Sequence, residues 1–157
     1  MAITKINNNT LSAVTGLPAG VGGKVLQVVT GTTSSSTATS AGSFVSTSLT
    51  ANITPSATSS KIVALVCGGE ADTGANGRNM HSTIFRGSTN LGNSTAGMVT
   101  AYGASSRVQG NSSVGIVDSP SSTSQLTYTC YIKSGGGSVT LNANSCLTSL
   151  ILMEVSG

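Results

Sequence analysis

Apolar and polar side chains alternate with a period of two along two stretches of the chain. Between Val45 and Ile53, every second residue is Val, Thr, Leu, Ala or Ile, and the residues between them are Ser, Thr and Asn. Between Leu126 and Lys133, Leu, Tyr, Cys and Ile alternate with Thr, Tyr and Lys in the same way. Because successive side chains of a strand point to opposite faces, each stretch predicts a half-buried strand.

Three other stretches are apolar almost throughout. They are Lys24–Thr30, Ile62–Cys67 and Leu147–Val155. Each is too short for a buried helix and contains β-branched residues, which is typical of a strand buried on both faces. We expect Ile62–Cys67, entered through a turn at Thr54–Ser60 that contains Pro55, to lie in the middle of the core. We also expect the first and last strands to pair in one inner sheet.

The remaining chain predicts shorter strands separated by loops. Apolar runs predict the strands Met80–Phe85, Met98–Tyr102, Val114–Val117 and Val139–Asn142. Glycine-rich or polar sequence predicts loops at Gly31–Gly42 and Gly68–Asn79, and a hairpin turn at Gly135–Gly137. With roughly nine strands and no stretch of helical period, the pattern predicts an all-β, antiparallel β-sandwich or jelly-roll.

The first 23 residues have no clean period and form a separate unit in this interpretation. Their apolar residues stand apart from one another, at Ile3, Ile6, Leu11, Val14 and Leu17. We expect an extended N-terminal attachment arm, residues 1–23, whose apolar residues become ordered on docking to another protein. A frayed terminus is the alternative. Gly20–Gly23 would be the hinge, and residues 24–157 the single jelly-roll domain.

Composition excludes several functional classes. Only 7% of the residues are charged, against about 25% in typical domains, and the net charge of +3 comes from scattered cations. Nucleic-acid binders concentrate basic residues on one face among aromatic residues, so we expect no nucleic-acid partner. No apolar stretch has the length of a membrane span, so we expect no membrane insertion either. Low net charge weakens repulsion between copies and suits dense packing.

The three cysteines are an odd number in a chain whose first residues lack an apolar signal region. Cys67 and Cys130 both fall on predicted strands, and we expect them to be buried, reduced thiols. A Cys67–Cys130 disulfide is the alternative.

No set of residues predicts catalysis. His81 is the sole histidine, and its neighbour Ser82 points to the opposite face of a strand, so a nucleophile and base would not meet there. We interpret Glu70 and Asp72 as solvated loop residues and Asp118 as a turn residue that bonds its own backbone. The glycine-rich segments lack the Lys-Ser/Thr of a phosphate loop. We therefore expect no enzyme, no metal and no cofactor.

A ligand would meet the loops Gly68–Asn79, Asn90–Gly97 and Gly103–Ser113. Sugar sites combine an aromatic ring with planar polar groups, and the candidate ligand-facing residues of this chain are Arg78, Tyr102, Arg107, Gln109 and Asn111.

Six segments together resemble a family of bacteriophage virion proteins, found in marine and cyanobacterial phages and labelled structural or tail-fibre proteins. The segments are Ile53–Ile62, Phe85–Leu91, Asp118–Pro120, Thr127-Tyr128, Val139–Asn142 and Leu150–Val155. Their order and spacing carry the resemblance, which runs from about Gly23 to the C-terminus. Arg86 matches an Arg-Gly-Ser-Thr step of the family, where we expect it to cap a strand end or to pair with a carboxylate across subunits.

The resemblance implies a jelly-roll that forms a homotrimer on a virus particle, with an inner sheet facing the threefold axis. The expected function is that of a non-enzymatic virion surface protein, either a head decoration protein or a short fibre. It would be assembled in the bacterial host cytoplasm and held through its arm by other capsid or tail proteins. The alternative is a receptor-binding tail-fibre tip that recognises a host surface glycan.

Overall fold

The computed structural model describes residues 25–157. The predicted arm 1–23, with its hinge Gly20–Gly23, and Lys24 lie outside the described residues. Every strand pair in the described part is antiparallel, and no helix occurs between residues 25 and 157. The predicted all-β, antiparallel fold is confirmed.

Four long strands form the first sheet, sheet I. In spatial order they are β1 (Val25–Thr33), β13 (Thr148–Val155), β4 (Lys61–Gly68) and β10 (Val114–Asp118). The first and last strands are neighbours over their whole length, from the pair Val25 and Val155 to the pair Thr33 and Thr148. The predicted pairing of the two terminal strands is confirmed.

The second sheet, sheet II, contains five strands. They are β3 (Val45–Ile53), β11 (Leu126–Ser134), β6 (Arg78–Arg86), and the strands β7 (Thr89–Asn90) and β8 (Val99–Gly103) that share the far edge of β6. A smaller end sheet closes one end of the molecule. Its strands, in order, are β2 (Thr37–Thr39), β12 (Val139–Leu141), β5 (Glu70–Asp72) and β9 (Gln109–Asn111).

The order of the long strands defines the architecture. Sheet I has the order β1-β13-β4-β10, and sheet II has the order β3-β11-β6-β8. Eight strands divided in this way between two facing antiparallel sheets, with long connections between the sheets, make a jelly-roll.

The core lies between the two sheets and follows the predicted alternation. On β3, Leu49, Ala51 and Ile53 are buried, and on β11, Tyr128, Cys130 and Ile132 are fully buried. Sheet I contributes its own inward row of apolar side chains, at Ile62, Ala64, Val66, Leu150 and Leu152. The predicted turn at Thr54–Ser60 closes with a hydrogen bond from Ser60 N to the carbonyl of Ala57.

Of the three strands predicted to be buried on both faces, β4 and β13 have one buried face, and the inward side of β1 is half-buried. On β4, Ile62, Ala64 and Val66 are inside, whereas Cys67 is exposed. On β1, Val28 is 58% exposed. An apolar run shows that both faces are apolar, not that the same chain covers both, and the burial of the second face at the threefold axis of a trimer stays a prediction.

Some loops also contain strands. The predicted loop Gly31–Gly42 includes the end of β1 and all of β2, and Gly68–Asn79 includes β5 and the start of β6. Gly135–Gly137 does not close a hairpin, because β12 leaves β11 and pairs with β2 and β5 in the end sheet. Three-residue strands are too short to show a period.

Candidate functional site

The outer face of sheet I is an open aliphatic surface, here called the aliphatic face. The strand register places one row of four apolar residues straight across the sheet, at Val28, Met153, Val63 and Val117. Val28 and Val117, at the two edges, are each 58% exposed, and Met153 and Val63 between them are half-buried. The centre of the sheet therefore presents methyl and thioether groups to solvent.

The neighbouring row continues the same surface. It consists of Thr30, Ile151, Leu65 and Gly115, and Leu26, 49% exposed, extends the face beside Val28. The charged residue of this face is Lys61, which lies at the end of β4 opposite Val155. Depletion of charge within an apolar patch is typical of the central part of a protein–protein interface.

The outer face of sheet II has a different chemistry and is here called the aromatic face. The ring of Phe85 stacks on that of Tyr131 with centroids 4.0 Å apart. Phe44 meets Phe85 edge to face at 6.0 Å. The ammonium of Lys133 lies 4.9 Å from the centre of the Phe44 ring, within the range of a cation–π contact.

Tyr102, a predicted ligand-facing residue, belongs to the same face. It pairs with Asn79 across β8 and β6, and it is 57% exposed. His81 stands one outward position along β6, and its Nδ1 is 2.7 Å from the hydroxyl oxygen of Thr100. Burial and the nearby Lys133 ammonium lower the pKa of His81.

The side chains of the other predicted ligand-facing residues are engaged in contacts that do not involve Tyr102. Arg107 forms an ion pair with Asp72, with nitrogen–oxygen distances of 2.8 and 2.6 Å. Gln109 donates to Glu70, and the side-chain oxygen of Asn111 accepts from Ser113 N at 2.6 Å. Gln109 and Asn111 belong to β9 of the end sheet, and Arg107 precedes that strand. Arg78 donates to the carbonyl of Ser138 at 3.0 Å.

Glu70 and Asp72 are not solvated loop residues. Both lie on β5 and are buried, 8% and 4% exposed. The carboxylate of Glu70 accepts from the side chain and backbone nitrogen of Asn144 as well as from Gln109. Hydrogen bonds from Arg107 lower the pKa of Asp72. The interpretation from sequence was wrong because the partners lie 35 to 74 residues away.

Asp118 and Arg86 also differ from expectation. Asp118 ends β10, and its carboxylate accepts from Arg86 Nη1 at 2.8 and 2.7 Å and from the Tyr128 hydroxyl at 2.7 Å. Asp118 is thus no turn residue bonding its own backbone, and Arg86 pairs within its own chain. Burial raises the pKa of Tyr128, and its hydrogen bond to Asp118 raises it further. The group links strands of both sheets.

Glu154 is the fourth acidic residue and faces inward, 1% exposed. Its carboxylate accepts from Ser56 N at 2.7 Å, from the Ser56 hydroxyl at 2.6 Å and from Gln27 Nε2 at 2.6 Å. Burial alone would raise the pKa of Glu154, but these hydrogen bonds outweigh it and lower the pKa to about 2. The carboxylate joins the Thr54–Ser60 turn to both terminal strands.

The cysteines are all free thiols. Cys130 is buried as expected, and burial raises its pKa to about 12. The expectation for Cys67 was wrong, since Cys67 is exposed on the outer side of β4 while Cys130 points into the core. The alternative of a Cys67–Cys130 disulfide does not hold either. Cys146 is exposed, 3.9 Å from a Glu70 oxygen.

No convergent catalytic group occurs in residues 25–157. Ser82 points inward, 3.2 Å from the hydroxyl of Ser112, while His81 is on the outer face of the sheet. Within the same range, no cluster of three or more His, Cys, Asp or Glu side chains is placed to hold a metal ion. A search of these residues also finds no helix that could cross a membrane.

The aromatic face is the feature that sequence reasoning missed. Tyr131 and Phe85 are 46 positions apart, and their contact depends on the pairing of β11 with β6. The signal was present in the alternation, because Tyr131 and Lys133 fall on the polar side of a half-buried strand. An aromatic residue on the exposed side of such a strand indicates a surface ring.

No protein-family model matches the sequence, and no curated protein matches it. Among solved structures, similarity is found to three from infectious bursal disease virus: the Gt strain, the T13 viral particle, and a mutant VP2 protein in derived T=1 particles. Sequence identity is 16%, 17% and 19%, and the TM-scores are 0.40, 0.39 and 0.40. The match covers 83% of this chain and 38%, 36% and 36% of those chains. At these values the similarity supports no inference about the role of this chain.

Proposed function

We propose that this chain is a non-enzymatic virion surface protein of a bacteriophage, a head decoration protein or a short fibre. Copies assemble as a homotrimer and dock on the particle through residues 1–23. The observation that carries the proposal is the aliphatic face, whose two central rows contain no charged residue and which its own chain leaves open. The location on a phage particle is proposed because six segments of the sequence resemble those of phage virion proteins.

A second copy is the partner that this face fits. Its two central rows contain Val, Leu, Ile, Met, Thr and Gly, so a partner with carboxylates or amides there would bury them without hydrogen bonds. An identical aliphatic surface meets that requirement, and closed symmetry repeats the same contact in every copy. Burial of apolar area then stabilises the assembly.

The non-enzymatic role is supported by the state of the acidic residues. All four acidic side chains of the sequence, Glu70, Asp72, Asp118 and Glu154, already accept hydrogen bonds from neighbouring side chains. A general acid or base needs access to a substrate proton, and these carboxylates are held in structural contacts.

Sedimentation equilibrium of the full chain tests the trimer. A trimer mass is expected for the native sequence, and a monomer mass for Val117→Lys, which places an ammonium within the apolar row. The matched control is Ser48→Lys, which adds the same charge at an exposed position of sheet II and should leave the trimer intact. A native chain that sediments as a monomer at all concentrations refutes the trimer.

The particle role needs a separate test. A cryo-EM reconstruction of the whole particle should show the chain on the head or at a short fibre. Replacing Ile3, Ile6, Leu11, Val14 and Leu17 together by Ser, in the full chain, should leave a folded trimer that no longer joins particles. Normal incorporation of that variant would contradict attachment through the arm.

A further inference from the structure

We propose that the aromatic face of sheet II is a binding site for a neutral oligosaccharide. The proposal goes beyond the structural role above and does not depend on it. The site consists of the ring cluster Phe44, Phe85 and Tyr131, the separate ring of Tyr102, and the hydroxyl and amide side chains around them.

The distribution of aromatic residues is the first observation. The sequence has three tyrosines, two phenylalanines and no tryptophan. Tyr128 is buried in the core. The other four lie on this one face, although aromatic side chains are costly to leave in water and none of the four fills the core. Tyr102 is exposed and the other three rings are half-buried, so the face presents aromatic surface to solvent at two places. Aromatic surface that the core does not use indicates contact with a ligand.

The surroundings of the rings define the ligand class. Thr50 and Thr129 lie side by side on the same face with hydroxyl oxygens 3.1 Å apart. Thr127 donates to Asn52 at 2.7 Å nearby. A sugar has apolar C–H faces that can lie on aromatic rings and hydroxyl groups that can both donate and accept. These hydroxyl and amide groups already hydrogen-bond to one another. Their remaining donor and acceptor capacity can be used by the hydroxyl groups of a sugar, whereas a hydrophobic protein partner offers no polar groups to them.

Charge favours a neutral sugar over an anionic polymer. The acidic side chains are all committed elsewhere, so no carboxylate lies among the rings. The cation of the face, Lys133, already lies over the Phe44 ring, and a lowered pKa favours the neutral form of His81. Phosphate or carboxylate recognition requires clustered, available cations, which this face lacks.

The spacing of the rings sets the ligand length. Tyr102 and Tyr131 are two strands apart and displaced by four residues along β6, since they pair with Asn79 and Thr83. At about 4.8 Å per strand and about 3.4 Å per residue, the separation is about 17 Å. A single sugar ring cannot reach both tyrosines, so we infer a short oligosaccharide or a polysaccharide chain lying across the strands.

The test begins with the full chain on an array of bacterial-surface oligosaccharides and with soluble dextran, galactan and mannan. Binding of at least one neutral glycan is expected. Titration calorimetry with that glycan should then show binding weakened about tenfold in Tyr102→Ala and in Tyr131→Leu, as expected for the loss of one ring contact. Tyr131→Phe, which keeps the ring, should lose much less.

Leu147→Ala is the matched control, because Leu147 is a large side chain that is 66% exposed and lies next to β13 of sheet I, away from the aromatic face. It should bind like the native chain. Failure of every glycan to bind at high protein concentration would overturn the proposal, and so would binding unaffected by Tyr102→Ala and Tyr131→Leu. Tyr102 is exposed, so its replacement tests the site even if Tyr131→Leu folds poorly. Since the glycan is a soluble monovalent probe, neither result depends on the trimer.

Discussion

The buried carboxylate of Glu154 offers the sharpest test of how the two ends of the domain are joined. In Glu154→Gln, an acceptor-only group becomes an amide whose NH₂ faces donors at Ser56 and Gln27. A hydrogen bond to a buried charged group contributes about 1.5–3 kcal/mol, and an amide can still satisfy some of these donors. We therefore expect the variant to be less stable than the native chain by about 3 kcal/mol at pH 7.

The pH dependence follows from the pKa of Glu154, which is about 2 in the folded chain against an ordinary 4.5. A group whose pKa falls on folding stabilises the folded state above the unfolded pKa, and loses that contribution as the pH drops through the folded value. The stabilisation from Glu154 is therefore complete above about pH 5 and lost between about pH 5 and pH 2. One pKa unit corresponds to about 1.4 kcal/mol, so the pKa shift and the hydrogen-bond energies predict a similar loss of stability in Glu154→Gln.

The assay is urea denaturation at fixed protein concentration, since association would add to the apparent stability. The free energies of unfolding of native and Glu154→Gln chains are compared at pH 7, 5, 4 and 3. Their difference should shrink as the pH falls. Gln125→Glu, which changes one charge at an exposed loop position, should differ by less than about 0.5 kcal/mol. A Glu154→Gln difference that is this small at pH 7, or that does not change with pH, refutes the reasoning.

Three further predictions concern other described contacts. Asp118→Asn should lower the free energy of unfolding by about 2–3 kcal/mol, measured in urea, because it breaks the Arg86 pair and weakens the Tyr128 contact; an unchanged midpoint would contradict this. A thiol reagent should modify Cys146 in the native chain and Cys130 only after unfolding, and mass spectrometry showing Cys130 modified in the folded chain would contradict this. Gly31→Ala should lower the free energy of unfolding by about 1–3 kcal/mol, since the new methyl group would lie 1.9 Å from the Thr50 carbonyl oxygen. The measurement is thermal melting, and the control is Gly110→Ala, which has open space around the new methyl group and should melt like the native chain.

Local alternation was enough to predict the strands that form the core. β3 and β11 show a clean period of two, and their inward residues were identified before the fold was known. The pairing of the terminal strands also followed from their shared apolar character. The short strands of the end sheet could not be predicted, because three residues in Gly-, Ser- and Asn-rich sequence show neither period nor strong propensity.

Long-range contacts account for the remaining errors. Glu70 and Asp118 stand in sequence contexts that normally indicate solvent-exposed turns, and only the fold brings Asn144 to the first and Arg86 and Tyr128 to the second. The aromatic face is missed for the same reason, since its rings come from the start of β3, from β6, β8 and β11. The chemical type of a side chain is known from the sequence, but the side chains that it contacts depend on the order of the strands in the sheets.

The commitment of all four acidic side chains to internal contacts has a consequence for handling the protein. Carboxylates are the charged oxygen ligands of calcium and magnesium in proteins, and the four carboxylate side chains of this chain already accept internal hydrogen bonds. Chelating agents should therefore neither dissolve nor precipitate assemblies of this chain. The protein should bind to a cation exchanger in mildly acidic to mildly alkaline buffers, since lysine and arginine side chains keep their positive charge over that range.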